Sequence, residues 1–298
     1  MDELFDFLIK KDVEYKINQP MSQYTSVRIG GRASVIAFPS TENQLVDLVR
    51  YLSASGTRYK VIGRMTNLLP CDCEYRGVLI STKLLNRFEI NGAVVSAECG
   101  VPVRTLIERM AHLGLGGAEG LCGIPGTLGG AIISNAGAYG AQTADIIKNV
   151  SVYSVSHDSK EDYACDELGF SYRKSVFLRS SDAVILSARL ELVPRDSAII
   201  LSELGKIRRR RALAQPIECA SLGSVFKRVD DRSAAEIIDR CGLKGLRVGN
   251  AQVSLKHAGF IVNLGGATAA EYLELVSSIK RTVYEKCGIE LEEEIESI

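Results

Sequence analysis

The sequence predicts a mixed α and β protein, and three observations carry that expectation. Short β-branched runs alternate with amphipathic helical stretches along the first two thirds of the 298 residues. The run VILSARLELV, Val184–Val193, reads as a clean strand. Two later helices announce themselves by capping boxes, Ser233-Ala-Ala-Glu236 and Thr268-Ala-Ala-Glu271.

In chain order, Leu45, Val46, Val49 and Leu52 recur at helical spacing after Pro39-Ser40, and Gly56 ends that helix. KVIG, ending at Gly63, and GVLIST, starting at Gly77, read as strands, as does the segment around Val94 and Val95. A helix is expected from Val103 to Leu113, stopping at Gly114. Ser202–Arg211 reads as helical and ends in four consecutive arginines, with a solvated hinge as its plain reading. The Ser233 helix should close near Cys241-Gly242, and the Thr268 helix carries Leu275, Val276, Ile279 and Val283 on one face. With the strand-like AQVSL and FIVNL between them, a small α+β lobe is expected from about Lys206 onward.

Thirty-six basic residues balance thirty-six acidic ones, so no net field draws the chain to nucleic acid or to an anionic membrane. No apolar run is long enough to span a bilayer, and the N-terminus lacks the features of a signal peptide, so a cytoplasmic protein is expected. The eight cysteines then read as reduced thiols. Cys71 and Cys73 alone make a weak metal signal, and three scattered histidines do not suggest a zinc hydrolase, so no metal site is expected.

The most informative stretch is Gly114–Gln142, where glycines 117, 120, 123, 126 and 129 recur every third residue around Pro125. Such loops can turn a run of backbone N–H groups toward phosphate oxygens; the alternative is a glycine turn packed tightly under a sheet. Neither a P-loop nor a GxGxxG fingerprint is present, so a nucleotide would need another fold.

Seven segments, taken in order, resemble the UDP-N-acetylenolpyruvoylglucosamine reductase family. They are TSVRIGG (Thr25–Gly31), VIGRMTNLLPCD (Val61–Asp72), GLCGIPGTLGGAIISNAGAYG (Gly120–Gly140), LGFSYRKSVF (Leu168–Phe177), QPIECASLGSVFK (Gln215–Lys227), GLKGLRVGNAQVSLKHAGFIVN and the terminal LEEEIESI. Compact length is similar to the shorter, type II branch. The resemblance implies an α+β protein: an FAD-binding fold of the vanillyl-alcohol oxidase type in two lobes, 1–67 and 68–200, plus a substrate lobe, 201–298. It implies FAD as cofactor and NADPH as co-substrate, a UDP-sugar substrate, a monomer, and a role in peptidoglycan precursor synthesis, hence in cell shape and division.

By matching position, the resemblance gives FAD contacts to Gly63, Arg64, Met65, Thr66, Asn67 and Leu68 in a first loop. It gives others to Gly123, Ile124, Pro125, Thr127, Gly130 and Ala131 in a second. Arg173 is implied to hold the substrate carboxylate, a task suited to the bidentate guanidinium fork. Ser224 is implied as proton donor, with Lys227 as a possible helper, and Glu294 as an acid, which requires a raised pKa. Glu292 and Glu293 are neighbours that leave the glutamate register open. Tyr172, Lys227, Arg228 and His257 are expected near the substrate, with a satisfied strand-end histidine as the other reading of His257. Arg228 and the Arg208–Arg211 run are candidates for the pyrophosphate.

The chain departs from the family pattern chiefly in the first loop, where Met65 stands at a usual glycine and Thr66 at a usual serine. If that position needs positive φ, methionine costs strain or displaces the cofactor. Two rival readings follow: a UDP-sugar-binding paralogue that has lost its flavin, and a related flavin oxidase. The oxidase often carries FAD on a histidine, and none lies in the first loop or in TSVRIGG.

Overall fold

The structure is a computed structural model that describes residues 2–230 and 232–298. Contacts divide the chain into two compact units, and neither is continuous in sequence.

The first unit comprises residues 2–17, 35–64 and 77–209. It opens with α1 (Asp2–Lys10), whose Leu4 and Leu8 are buried; this short amphipathic helix was not anticipated from the sequence. One sheet has the order β1 (Glu14–Pro20), β2 (Arg32–Phe38), β5 (Tyr75–Ser81), β3 (Tyr59–Ile62). β3 and β5 are parallel, with Ile62 opposite Ser81, and α2 (Glu42–Ala54) lies between β2 and β3 in sequence. Thr41 caps α2 by accepting from Gln44 N at 3.2 Å, and Gly56, at φ 64°, follows its end.

A second, antiparallel sheet of the same unit runs β9 (Ser159–Ala164), β8 (Ile147–Ser154), β10 (Ala183–Glu191), β7 (Val94–Glu98), β6 (Phe88–Asn91). The VILSARLELV strand thus becomes a central strand, paired with β7 and β8. α3 (Val103–His112) buries Val103, Leu106, Ile107 and Met110, then ends at Gly114 with φ 70°. A large core unites these elements, and burial of so many apolar side chains dominates the unit's stability.

The second unit comprises Asn18–Ser34, Met65–Arg76 and Arg210–Ile298. Its sheet has the order β11 (Ala220–Ser224), β14 (Phe260–Asn263), β13 (Ala251–Val253), β12 (Arg247–Val248), all antiparallel where paired. A second, parallel pair joins β4 (Leu68–Leu69) to β15 (Glu296–Ser297). This contact division differs from the lobe boundaries at 67 and 200: residues 18–34 and 65–76 group with the C-terminal third. The physical reasons are local. Leu68 pairs with Glu296, and Asp72 accepts hydrogen bonds from Ala269 N at 2.8 Å and Ala270 N at 3.0 Å.

The arginine-rich helix is longer than expected, α5 (Ser197–Ala214), because Asp196 accepts from Ala198 N at 2.7 Å and starts it early. The two capping boxes diverge. In α7 (Ala269–Cys287) the Thr268 side chain accepts from Glu271 N at 3.1 Å, and Glu271 accepts from Thr268 N at 3.0 Å. In α6 (Ala234–Arg240) Ser233 makes no side-chain cap bond, so the box written in that sequence does not form. α7 buries Tyr272, Leu275, Val276, Ile279 and Val283 in the second unit's core and ends at Gly288, φ 65°. All eight cysteines are free thiols, with the Sγ atoms of Cys241 and Cys287 3.6 Å apart.

Replacing Thr268 by alanine is expected to lower stability by about 1 kcal/mol, the usual loss for a helix N-cap, whereas Ser233→Ala should change it by less than about 0.5 kcal/mol. Urea midpoints of the two variants check the contrast; equal losses would mean that the two caps are equivalent in solution.

Candidate active site

The glycine-rich segment lies in the first unit and folds as a tight turn, Glu119–Gly123, an extended Ile124, and the short helix α4 (Leu128–Ile133). Thr127 caps α4, its Oγ1 accepting from Gly130 N at 3.4 Å. The first loop reaches the same place: a Cβ on Gly63 would stand 2.5 Å from Thr127 Oγ1, so only glycine allows the two loops this approach. Gly120 is similarly confined, its added Cβ falling 2.5 Å from the Ala138 carbonyl oxygen.

The donor arrangement differs from the sequence expectation of a run of exposed N–H groups. Ile124 N donates to Leu121 O at 3.0 Å, Leu128 N to Val101 O at 2.9 Å, Gly129 N to Cys99 O at 2.8 Å and Ala131 N to Thr127 O at 2.9 Å. These bonds make the loop rigid rather than receptive, so the tight-turn reading describes most of it. The N–H groups of Gly126 and Thr127 are the ones between Ile124 and Ala131 for which no acceptor is found among the described residues.

Arg173 sits in the same unit on a turn closed by reciprocal backbone bonds between Ser171 and Lys174, both 3.1 Å. Its φ is +53°, a conformation that costs an L-residue roughly 1–2 kcal/mol. Its Nη2 donates to the Gly137 carbonyl at 3.0 Å, and its guanidinium lies 5.1 Å from the Tyr172 ring centroid. Asn135 joins this turn to the glycine-rich segment. Almost fully buried, it donates to Ser171 O at 3.0 Å and Gln142 Oε1 at 3.1 Å and accepts from Ala144 N at 3.0 Å. Asn135 and Tyr139 also have positive φ, 42° and 53°. Such strain persists only where neighbours over-determine it, and it concentrates at functional sites. Asn135 carries no signal in the sequence beyond its place beside the glycines.

In the second unit, Met65 adopts φ +47° and is 2% exposed. The position therefore keeps the backbone that glycine would take, and the cost is strain, with the side chain buried. TSVRIGG clasps it: Met65 O accepts from Thr25 Oγ1 at 3.1 Å and from Ser26 N at 3.4 Å, and Thr25 Oγ1 also reaches Leu68 O at 3.3 Å.

The same unit brings Ser224 and Glu294 to neighbouring segments. Ser224 is exposed at the end of β11, after a register shift and Gly223 at φ 80°. Beside it, Glu294 N donates to Val225 O at 2.8 Å and Lys227 N to Glu292 O at 2.9 Å. Glu294 O accepts from Asn67 Nδ2 at 2.8 Å. The neighbouring carboxylates are otherwise engaged, Glu292 with Lys227 Nζ and Glu293 with Lys280 Nζ at 2.9 Å. Lys227 is thus bound to Glu292, not poised to assist Ser224.

Two further candidates already have partners in the structure. His257 is a satisfied turn histidine: its Nδ1 accepts from Gly259 N at 3.2 Å and its ring stands edge-on to Phe260 at 4.8 Å. Burial first, then the Lys244 charge, lower its pKa below the ordinary 6.5. Arg208 pairs with Glu108 on α3, whose carboxyl is held low by Arg104 first, so this member of the arginine run is occupied. Arg64 and Arg228 are exposed, Thr66 is half-buried, and no cluster of metal-binding side chains exists among the described residues.

A model for the C-terminal domain of UDP-N-acetylenolpyruvoylglucosamine reductase matches residues 215–298, and an FAD-binding-domain model matches residues 33–156. The reductase of Carboxydothermus hydrogenoformans is 39% identical over 94% of this chain and 92% of its own. That of Lactobacillus acidophilus is 37% identical over 98% and 97%. The chain belongs to the UDP-N-acetylenolpyruvoylglucosamine reductase family.

The crystal structure of the reductase from Thermus caldophilus covers 96% of this family member and 98% of its own chain, with a TM-score of 0.80 at 35% identity. A berberine bridge enzyme variant covers 65% of the chain at a TM-score of 0.51 and 15% identity, a likeness of fold alone. The fold is therefore an FAD-binding fold of the vanillyl-alcohol oxidase type with an added α+β portion, as the sequence implied. The residues fit FAD on two observations: glycine is sterically required where the two loops meet at Gly63 and Thr127, and Met65 preserves the glycine-like backbone.

Met65→Gly should be more stable than Met65→Ala by about 1 kcal/mol, because only glycine relieves the positive φ once the buried side chain is gone. Thermal melts of the two variants test this; an alanine variant as stable as the glycine one would mean the strain is absent. For His257 the sign is equally definite. Its folded pKa is depressed, so its contribution to stability is complete above about pH 6.5 and is lost as pH falls through the folded value. His257→Gln should flatten the stability–pH curve in that window, measured by denaturation at several pH values.

Proposed function

We propose that this family member reduces UDP-N-acetylglucosamine enolpyruvate to UDP-N-acetylmuramate with NADPH, a step of peptidoglycan-precursor synthesis that supports cell shape and division. The observation that carries this reading is the placement of Glu294 against the residue that follows Ser224, by the 2.8 Å bond from Glu294 N to Val225 O. Two groups assigned to proton handling thereby share one short ladder. The same reading takes the protein as a cytoplasmic monomer.

FAD, held by the 63–68 loop and by residues 123–131, supplies hydride transfer from the nicotinamide to the enolpyruvyl double bond when bound. The residues proposed to contact it are Gly63, Arg64, Met65, Thr66, Asn67 and Leu68, with Gly123, Ile124, Pro125, Thr127, Gly130 and Ala131. The N–H groups of Gly126 and Thr127 suit a phosphate oxygen. Residues 201–298 would receive the UDP-sugar, with Tyr172, Lys227, Arg228 and His257 near it. The Lys227–Glu292 pair and the inward bond of His257 make those two the weaker members of that set.

Reduction of the double bond drives negative charge toward the substrate carboxylate. Arg173 holds that carboxylate and stabilises the charge; the strained turn and the Gly137 contact fix the guanidinium before substrate arrives. Ser224 donates the proton to the adjacent carbon, and Glu294, protonated, donates to the developing enediolate oxygen.

Arg173→Lys should lower kcat/KM at least about 100-fold, since a point charge cannot replace the bidentate fork. The measurement is anaerobic absorption spectroscopy of the FAD-loaded protein, adding NADPH and then the enolpyruvyl UDP-sugar. Bleaching by NADPH with recovery by the UDP-sugar is the expected result for the unaltered chain, and slow recovery alone for the variant. Failure to hold FAD even when it is supplied would sink the reading in favour of a UDP-sugar-binding paralogue that has lost its flavin.

A further inference from the structure

The C-terminal tail does not merely end near the first loop. Every second backbone group of it is bonded to that loop or to the strand after Ser224. Glu296 N donates to Asn67 O at 3.0 Å, Ile298 N to Leu69 O at 3.0 Å, and Cys71 N to Ile298 O at 2.9 Å. On the other side, Glu294 N donates to Val225 O at 2.8 Å and Lys227 N to Glu292 O at 2.9 Å. Between these two ladders stands Glu294, whose carbonyl receives the Asn67 amide at 2.8 Å. Both backbone groups of this residue are therefore pinned, one toward each ladder.

We infer that Asn67 is a positioning residue for Glu294: its side-chain amide anchors the tail, so that the loop expected to hold FAD also sets the place of the acid. The inference rests on the proton-donor role proposed for Glu294, and it moves the Asn67 side chain from a cofactor contact to a structural hinge between cofactor and acid. The geometry favours that use. An amide has two N–H donors, and one of them is spent on a backbone carbonyl of the tail. The residue's own backbone is spent on the tail as well, because its carbonyl accepts from Glu296.

A tail of eight residues, Leu291–Ile298, cannot hold one conformation by its own propensity. The apolar anchors on the tail are Leu291 and Ile295, 3% and 8% exposed, which flank Glu294 in sequence and fix which way successive side chains point. The neighbouring acids are tied off by Lys227 and Lys280. Three things then fix the position of Glu294 along the tail: its N–H bond to Val225 O, the Asn67 amide on its carbonyl and the β4–β15 pairing. A shift of about 1 Å in a catalytic group can lower a rate on the order of 100-fold, so a single hydrogen bond here matters to rate more than to stability.

The test compares Asn67→Ala with Glu294→Gln and with the double variant, and separately a chain shortened by removal of Glu296, Ser297 and Ile298. Amide hydrogen exchange of residues 294–298 is followed in the FAD-free protein, and the two half-reactions are followed by stopped flow with FAD loaded. Asn67→Ala should speed exchange at Glu296 and Ile298 at least about 10-fold and slow the UDP-sugar half-reaction about 10- to 100-fold, a larger loss than in the NADPH half-reaction. The pH limb lost in Glu294→Gln should move in Asn67→Ala. The double variant should be no slower than Glu294→Gln alone. The shortened chain should show the same kinetic pattern with Asn67 intact.

Unchanged tail exchange, with weakened FAD affinity and multiplicative rate losses in the double variant, would overturn the inference and return Asn67 to the cofactor. If Glu294→Gln retains full turnover, the proton-donor reading itself falls, and the positioning role falls with it. The exchange data would still report whether Asn67 anchors the tail, so the two failures are told apart.

Discussion

The second unit depends on one constraint: three stretches far apart in sequence must satisfy each other's backbone hydrogen bonds. Residues 25–31, 65–71 and 292–298 have little regular structure of their own. Met65 O is taken by Thr25 and Ser26, Gly31 N donates to Cys71 O at 2.8 Å, and Cys71 N donates to Ile298 O at 2.9 Å. Buried backbone groups must find partners, and here each irregular stretch is the partner of another. Gly31 shows how tight the fit is, since an added Cβ would lie 2.3 Å from the Asp72 carbonyl oxygen. A loop held in this way can carry strain at Met65 without rearranging.

The same economy appears in the first unit around Asn135. A buried amide that satisfies three partners fixes the glycine-rich segment to the Arg173 turn, and three residues there accept positive φ. The strain and the satisfied amide are two sides of one arrangement. The surrounding bonds over-determine the backbone, and a guanidinium that is already placed loses little freedom when a carboxylate arrives. Rigidity, more than a wealth of exposed donors, is what the repeated glycines provide. Their close approaches at Gly63, Gly120 and Gly129 leave most N–H groups bonded inward.

Much of the regular architecture was legible from one-dimensional signals. The β10 run, the α2 and α3 stripes with their terminal glycines, and the Thr268 box on α7 all depend on near neighbours in the chain. Ser233 marks where that legibility stops. Its four-residue pattern is as good as that of Thr268, yet Ser233 makes no cap bond, because side-chain orientation at a helix start is settled by what packs around it. α1 and the early start of α5 lie outside that legibility: α1 has only nine residues, and the start of α5 rests on a single aspartate.

The amino-acid order by itself determined the family, the mixed fold, and the residue types able to bind an anion or move a proton. These follow from motifs whose spacing is fixed by covalent geometry. Tertiary structure alone decided how those residues are used. It decided that Met65 takes the glycine conformation, and that Lys227 and Lys280 tie off Glu292 and Glu293 around Glu294. It turned His257 inward and set Asn67 against a carbonyl more than two hundred residues away in the chain. Such pairings depend on distances in space between groups remote in sequence, and no local pattern encodes them.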